Sequence, residues 1–347
     1  MREQIENTGT ILEEKMKLIA ETSWHHEGDF NFMKDLLRAL INSKVDIIKM
    51  HITLDFDEYM DKSHPLYKDL KKWLFSEEEW KELIDTVKKG GKELLLLLND
   101  TKSVELAKEI RPQYIEVHSV CLNDIFLLEK IKEFLKENPN TKIVIGVGGT
   151  TLEEIDFAIS YLNTENIILM FGFQNYPTRY EDINTKKIKK IMSLYPRFEY
   201  GYADHTSWDH PYNELITLLV ASLGMNYIEK HATIKYGEKR TDYVAAVSIK
   251  MLNSLREKME ILEKLQGTGS LLLNEGERKY SIYGFMKKAP ILIKNVKKGE
   301  KLDYTNFRFK RTGKNTDLSQ VDTILSIGKT FKRDLPKGYV LKKDDLE

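Results

Sequence analysis

The chain has 347 residues, 54 Lys and Arg against 54 Asp and Glu, one cysteine, and 41% hydrophobic residues. This composition excludes a disordered, collagen-like or disulfide-stapled chain, and the zero net charge argues against a general binder of nucleic acid or acidic membrane. The lone Cys121 suits a reducing compartment, no apolar run of about 18 residues could span a membrane, and the charged opening MREQIENTGTILEEKMK lacks the apolar centre of a signal peptide, so a cytoplasmic protein is expected.

Along the chain, short runs rich in Ile, Val, Leu and aromatics alternate with amphipathic segments. Strands are predicted at 17–22, 46–52, 93–98, 114–119, 142–148, 166–172, 198–205 and 227–234. Helical spacing is clear at 29–44, where Phe32, Met33, Leu36, Leu37, Leu40 and Ile41 recur, and at 127–137, 152–162, 184–194, 213–223 and 248–265. Such alternation over about 260 residues predicts an α/β fold, a (β/α)8 TIM barrel. A doubly wound open sheet is the alternative, but no glycine-rich dinucleotide fingerprint follows any strand. After Gly267 the pattern changes. The barrel is expected at 1–266, a linker (GTGSLLLNEGE) at 267–277, and a small β-rich domain at 278–347, where VKKGEKL and LPKGYVL nearly repeat one lysine–glycine turn unit.

In such a barrel the active site lies at the C-terminal strand ends, where residues two apart face the same way. The candidates are Glu21, Lys49 with His51, Glu116 with His118, Asp204-His205, and Glu229 with His231. Seven of the eight histidines fall at or just after strand ends; only His64 does not. A single histidine is more often structural than a ligand, but four on separate strands of one mouth suggest a metal held at His205 and His231 with carboxylates and water. Lys49 has three readings: a Schiff-base lysine, an anion anchor, or a snorkelling side chain. Gly146, Gly148 and Gly149 either offer backbone N–H groups to an anion or make a tight turn. Cys121 reads as a small apolar residue and the lysines of TKKIKKIM as solvated surface.

Several motifs resemble the sialic acid synthase family. IAETSWHHEGDFNFMKDLLRALINSKVDIIKMH is similar to the family's opening, and QNYPT to its YPT/S motif. YADHT at 202–206 with ASLGMNYIEKHATI at 221–234 is similar to the signature SDHT…LGA-x-x-IEKHFT. VKKGEKLDYTNFRFKR and LPKGYVLKKDDL resemble the antifreeze-like (SAF, β-clip) domain that ends these synthases. The resemblance implies a barrel-plus-SAF, domain-swapped homodimer that condenses phosphoenolpyruvate with an N-acylated mannosamine-type sugar and releases phosphate, in acidic-sugar and surface-glycan biosynthesis. It implies a divalent metal, Mn or Mg with Zn or Co as alternatives, on His205 and His231. It places Glu21 as an acid/base or water-positioning carboxylate, Lys49, Ser119 and Asn175 on phosphoenolpyruvate, Glu229 and Asp242 near the sugar or metal-bound water, Tyr176 in the sugar pocket, and Arg311 across the dimer on the sugar's acyl group.

The chain departs from the family pattern at defined places. Glu116 stands where a second phosphoenolpyruvate lysine is expected, Ala203 for the serine of SDH, His51 for a glutamine, and Cys121 roughly for a glutamate. LLNDT replaces an ST-P-F-D stretch, residues 242–246 (DYVAA) lack the His and Ser of DH-x-x-S, and only Arg311-Thr312-Gly313 is left of RPG-x-GI. Glu116 is expected either to repel a phosphate or to pair with Lys49, and His51 and His118 to enlarge the metal site. Two alternatives stand beside the synthase reading: a metal-dependent lyase, aldolase or epimerase that does not use phosphoenolpyruvate, and a non-catalytic sugar-binding protein.

Overall fold

The computed structural model describes residues 15–173 and 175–347. The segment 1–14, read above for targeting and as the start of the barrel domain, and Gln174 of the QNYPT motif lie outside the described residues. Within them the chain divides into two units, 15–267 and 268–347.

In the first unit, eight parallel strands are built from the apolar runs. They are β1 (Lys17–Glu21), β2 (Ile47–Ile52), β3 (Glu93–Leu98), β4 (Tyr114–Val117), β5 (Lys142–Gly146), β6 (Ile167–Gly172), β7 (Glu199–Asp204) and β8 (Tyr227–Thr233). They pair in chain order, and β1 also pairs with β8, so the sheet closes into a barrel and the open-sheet alternative is excluded. A helix follows each strand: α1 (Phe30–Ile41), α2 (Glu77–Lys89), α3 (Thr101–Ile110), α4 (Ile125–Glu137), α5 (Leu152–Leu162), α6 (Thr185–Leu194), α7 (Asn213–Ala221) and α8 (Ile249–Gln266). Helices α2 and α3 were not among the predicted helices. In α2 the buried stripe of Trp80, Leu83, Ile84 and Val87 is narrow and flanked by charge, and two short helical turns (Phe56–Tyr59 and Tyr67–Leu70) precede it. Side-chain oxygens of Asp29, Asp100 and Asp124 accept hydrogen bonds from the first turns of α1, α3 and α4 and fix where those helices begin. The lysines of α6 are exposed, while Ile188 and Ile191 face inward.

Alternation along each strand separates two cores. Leu18, Ala20, Ile48, Met50, Leu94, Leu96 and Leu98 point out and are covered by the helices. Ile19, Ile47, Leu95, Tyr114, Val144, Ile168, Met170 and Tyr227 point in and fill the barrel. Ion pairs between Lys17 and Glu93 (2.8 Å) and between Lys142 and Glu199 (2.7 Å) lie at the N-terminal strand ends. The opposite end therefore holds the space for a ligand.

The second unit contains one antiparallel pair, β9 (Ala289–Leu292) with β10 (Phe307–Lys310), and a helix at Gln320–Leu325. A helix at Glu275–Tyr280 begins inside the expected linker, capped by Asn274. The two near-repeats meet head to head: Val296 and Leu335 exchange N–H···O bonds of 3.0 Å. Gly299 and Gly338 occupy the same turn position in each, with φ of 80° and 85°. Leu302, Phe307, Phe331 and Leu341 form the unit's core.

Candidate active site

Parallel register decides which strand-end groups meet. Glu21 on β1 is level with Lys49 on β2 and with His231 on β8, and Glu229 is level with Ala203 on β7. Inward-facing Glu21, Lys49, Glu116 and Glu229 thus converge at the C-terminal end of the barrel. The Lys49 ammonium lies 2.8 Å from Glu116 Oε2, 2.9 Å from Glu229 Oε1 and 3.5 Å from Glu21 Oε1, and all four side chains are at most 3% exposed. Burial opposes the lysine's charge, but the three carboxylates prevail and hold its pKa well above the usual range. An ammonium so held has no lone pair with which to form a Schiff base, so the three carboxylates favour the ion-paired form of Lys49.

The carboxylates differ from one another. Burial pushes all three upward. For Glu21 the charges of Lys49, His231 and His51 win, and its pKa lies well below the ordinary value. For Glu229 burial wins, aided by the neighbouring Glu21 and Glu116, and its pKa lies well above it. The two buried carboxyls are thus pushed in opposite directions.

Glu21 also faces two imidazoles. Its Oε1 bonds His51 Nε2, and its Oε2 lies 3.1 Å from His231 Nε2. One ligand atom each from Glu21, His205 and His231 lies within 4.8 Å of the others, the one such metal-ligand group among the described residues. Burial lowers the pKa of His205 to about 3, so it is neutral. Its Nδ1–H donates to the Ala203 carbonyl at 3.0 Å, which turns the Nε2 lone pair outward. His231 Nδ1 is buried with no hydrogen-bond partner. Two neutral-capable imidazoles, a carboxylate and an orphaned buried nitrogen fit a divalent metal. Glu21, expected as an acid/base group, sits among the ligand atoms.

These groups line a cavity of about 350 Å³ together with His51, His118, Ser119, Tyr176 and Asp242. His118 caps the short turn Ser119–Cys121; its Nδ1 accepts from Val120 N, which puts the ring hydrogen on Nε2. Tyr176 OH donates to the Asp242 carbonyl and sets its ring beside His205 and His231. Asn175 is absent from the lining; its Nδ2 donates to Asp182 at 2.6 Å. Arg311 belongs to the second unit, where its Nε donates to the Phe285 carbonyl. Of the other histidines, His25 is bonded to Thr241 and Thr233, His26 packs among Trp24, Phe75 and Trp80, and His210 packs on Tyr180. Burial raises the Cys121 thiol to about 11, consistent with an inert, partly buried side chain.

Sequence reasoning missed Trp24, Tyr59, Asn99 and Phe173, which also line the cavity. They sit in loops beyond strand ends or, as Tyr59, in a short helical turn, and carry no periodic signal. Of the three glycines at the end of β5, Gly146 and Gly148 serve close packing, while Gly149 faces open space. A Cβ on Gly146 would lie 2.7 Å from Ser119 N, and one on Gly148 only 1.5 Å from the Gly172 carbonyl oxygen. Only glycine lets these strand ends approach.

Residues 43–270 match the NeuB family. An N,N'-diacetyllegionaminic acid synthase of Campylobacter jejuni is 25% identical over 347 residues, covering 92% of this chain and 98% of its own. A pseudaminic acid synthase of Helicobacter pylori is 24% identical over 348 residues, covering 95% and 98%. A spore coat polysaccharide biosynthesis protein E of Chromobacterium violaceum superposes with a TM-score of 0.79 at 19% identity, over 96% of this chain and 100% of that one; this likeness is one of fold. With well over half of its length matched and the strand-end motifs in place at the barrel mouth, the chain belongs to the NeuB family.

Proposed function

We propose that this chain is a metal-dependent enzyme of acidic-sugar biosynthesis. It joins a three-carbon enol-type donor to the open-chain aldehyde of an N-acylated amino sugar of the mannosamine type. The observation that carries the reading is the Glu21–His205–His231 group facing one cavity in a NeuB barrel. Mn, Co or Zn suits these ligands better than Mg, which prefers oxygen. Such a metal supplies Lewis-acid charge at a carbonyl oxygen. The chain's own residues do the rest: the buried Glu229 carboxyl stands beside Lys49, His118 offers its Nε2–H, and the Tyr176 ring walls the sugar side. In the sialic acid synthase family the donor is phosphoenolpyruvate, with Lys49 and Ser119 as its contacts and phosphate as a product.

A second reading, the same scaffold without a phosphorylated donor, is favoured by one observation, the 2.8 Å Glu116–Lys49 pair. Residues 268–347 serve as the SAF domain of a domain-swapped, cytoplasmic homodimer in which Arg311 meets the partner's sugar. Their 18 Lys and Arg against 10 Asp and Glu complement the 36 against 44 of residues 1–267. The test is mass-spectrometric detection of a nine-carbon keto acid from N-acetylmannosamine and a three-carbon donor, with and without Mn, beside light scattering for the dimer. Product formation that ignores chelators, or no carbon–carbon product with either phosphoenolpyruvate or pyruvate, overturns the proposal.

A further inference from the structure

The inner end of the cavity is short of cations. Lys49 is the one Lys or Arg among its described lining residues. An ammonium has three N–H donors, and three carboxylate oxygens, from Glu116, Glu229 and Glu21, stand within 3.5 Å of this one. It donates to Glu229 Oε1 and is paired by charge with Glu116 and Glu21, so an anionic ligand would compete with carboxylates already in place. His118, the next polar group at this end, is a neutral imidazole.

A phosphoryl group brings nearly two negative charges beyond the donor's carboxylate. If drawn to Lys49, the one cation of the described lining, it would come up against Glu116, which lies 2.8 Å from the same ammonium, and like charges brought together in a buried site repel. A donor carrying a single carboxylate places a much smaller demand on the site.

We propose that Glu116 is a specificity-determining residue that ties up Lys49 and closes the site to a phosphorylated three-carbon donor, so that the carbon nucleophile comes from an unphosphorylated α-keto acid of the pyruvate class. This rests on the carbon–carbon bond-forming reading above and selects among its donors. The step is then an addition. C3 of the keto acid gives up a proton, its electron pair forms the bond to the aldehyde carbon, and the aldehyde oxygen takes a proton. The proton released at C3 balances the one taken up by the aldehyde oxygen. No phosphate leaves, and no oxidant or reductant is required.

The test is calorimetric titration of phosphoenolpyruvate and of pyruvate into the Mn-loaded full chain, after Mn binding itself has been followed by electron paramagnetic resonance. Wild type, Glu116→Gln and Glu116→Lys are compared; the wild-type pair of titrations needs no variant, and the Gln variant is nearly isosteric. Pyruvate should saturate, with phosphoenolpyruvate at least about 100-fold weaker. Glu116→Gln should narrow that gap at least about tenfold, and Glu116→Lys should reverse the preference. Wild-type protein that binds phosphoenolpyruvate as tightly as pyruvate, or that holds Mn and binds neither, overturns the proposal. Protein that takes up no Mn yet still prefers pyruvate supports it and sinks the metal-dependent reading instead.

Discussion

Lys230 lies between Glu229 and His231 on β8, so its side chain points away from the cavity, toward α7. There its Nζ meets Asp204 Oδ2 at 3.0 Å and Asn213 Oδ1 at 2.9 Å, and both charged side chains are fully buried. Asp204 also accepts from Thr206 N at 2.8 Å and from the Thr217 hydroxyl. The pair links β7, β8 and α7 directly behind His205 and His231. Lys230→Met keeps the bulk and removes the cation. Breaking a buried pair from one side costs about 3–5 kcal/mol. Because Asp204 keeps two donors, the lower figure applies, about 3 kcal/mol, or a fall in Tm of about 6–12 °C for a domain of this size. In the wild type, burial pushes the Asp204 carboxyl up, but Lys230 and the two Thr donors outweigh it and hold the pKa below the ordinary value. A depressed folded pKa stabilises above the unfolded value, near 3.9, and that contribution is lost as pH falls through the folded value. In the variant nothing cationic opposes burial, the folded pKa rises, and protonation relieves the penalty. The gap between wild type and variant must therefore narrow as pH falls toward 4. Scanning calorimetry from pH 7 to pH 4 measures both effects. A variant within 2 °C of wild type at pH 7, or a gap that stays constant with pH, would refute the reasoning, and Asp204→Asn added to Lys230→Met should recover part of the loss.

Replacing either His205 or His231 with Ala should lower Mn affinity at least about 100-fold while leaving the far-UV circular dichroism spectrum unchanged, since each removes one of three ligands; full Mn binding by both variants would remove the ligand assignment. Burial lowers the pKa of His26 to about 3, so the unfolded chain takes its proton first, and stability falls as pH drops from about 6.5 toward 3 with a slope of up to about 1.4 kcal/mol per pH unit. His26→Asn, which retains an acceptor for Gly28 N, should flatten the pH dependence of the urea midpoint, and equal slopes would contradict the account. Gly148→Ala should abolish soluble expression or cut Tm sharply, because its Cβ meets backbone that cannot move aside; Gly149→Ala, strained at φ 71° but facing open space, should cost only about 1–2 kcal/mol. Comparable stability of the two glycine variants would contradict the packing role.

The strands, the barrel class and most of the cavity's charged groups were legible in the amino-acid order. Side-chain alternation is a local property, and it already places Glu21, Lys49, Glu116, Glu229 and His231 on inward faces. Helix α2 was hidden because its buried stripe is set among charges, and Trp24 and Phe173 because a loop residue has no period to betray it. What each inward group does was not legible. Lys49 stood equally for a nucleophile, an anchor or a snorkelling side chain until closure of the barrel brought three carboxylates from β1, β4 and β8 to one ammonium. Glu21 became a metal-ligand candidate because β1 lies beside β8, more than 200 residues away in sequence. The packing role of Gly148 could be told only once the Gly172 carbonyl was seen to fill the space of a side chain. Sequence by itself determined which face of each strand a residue takes, because the backbone sets that within two residues. Only the tertiary structure decided which charges meet, because register and closure are set by packing between strands far apart in the chain.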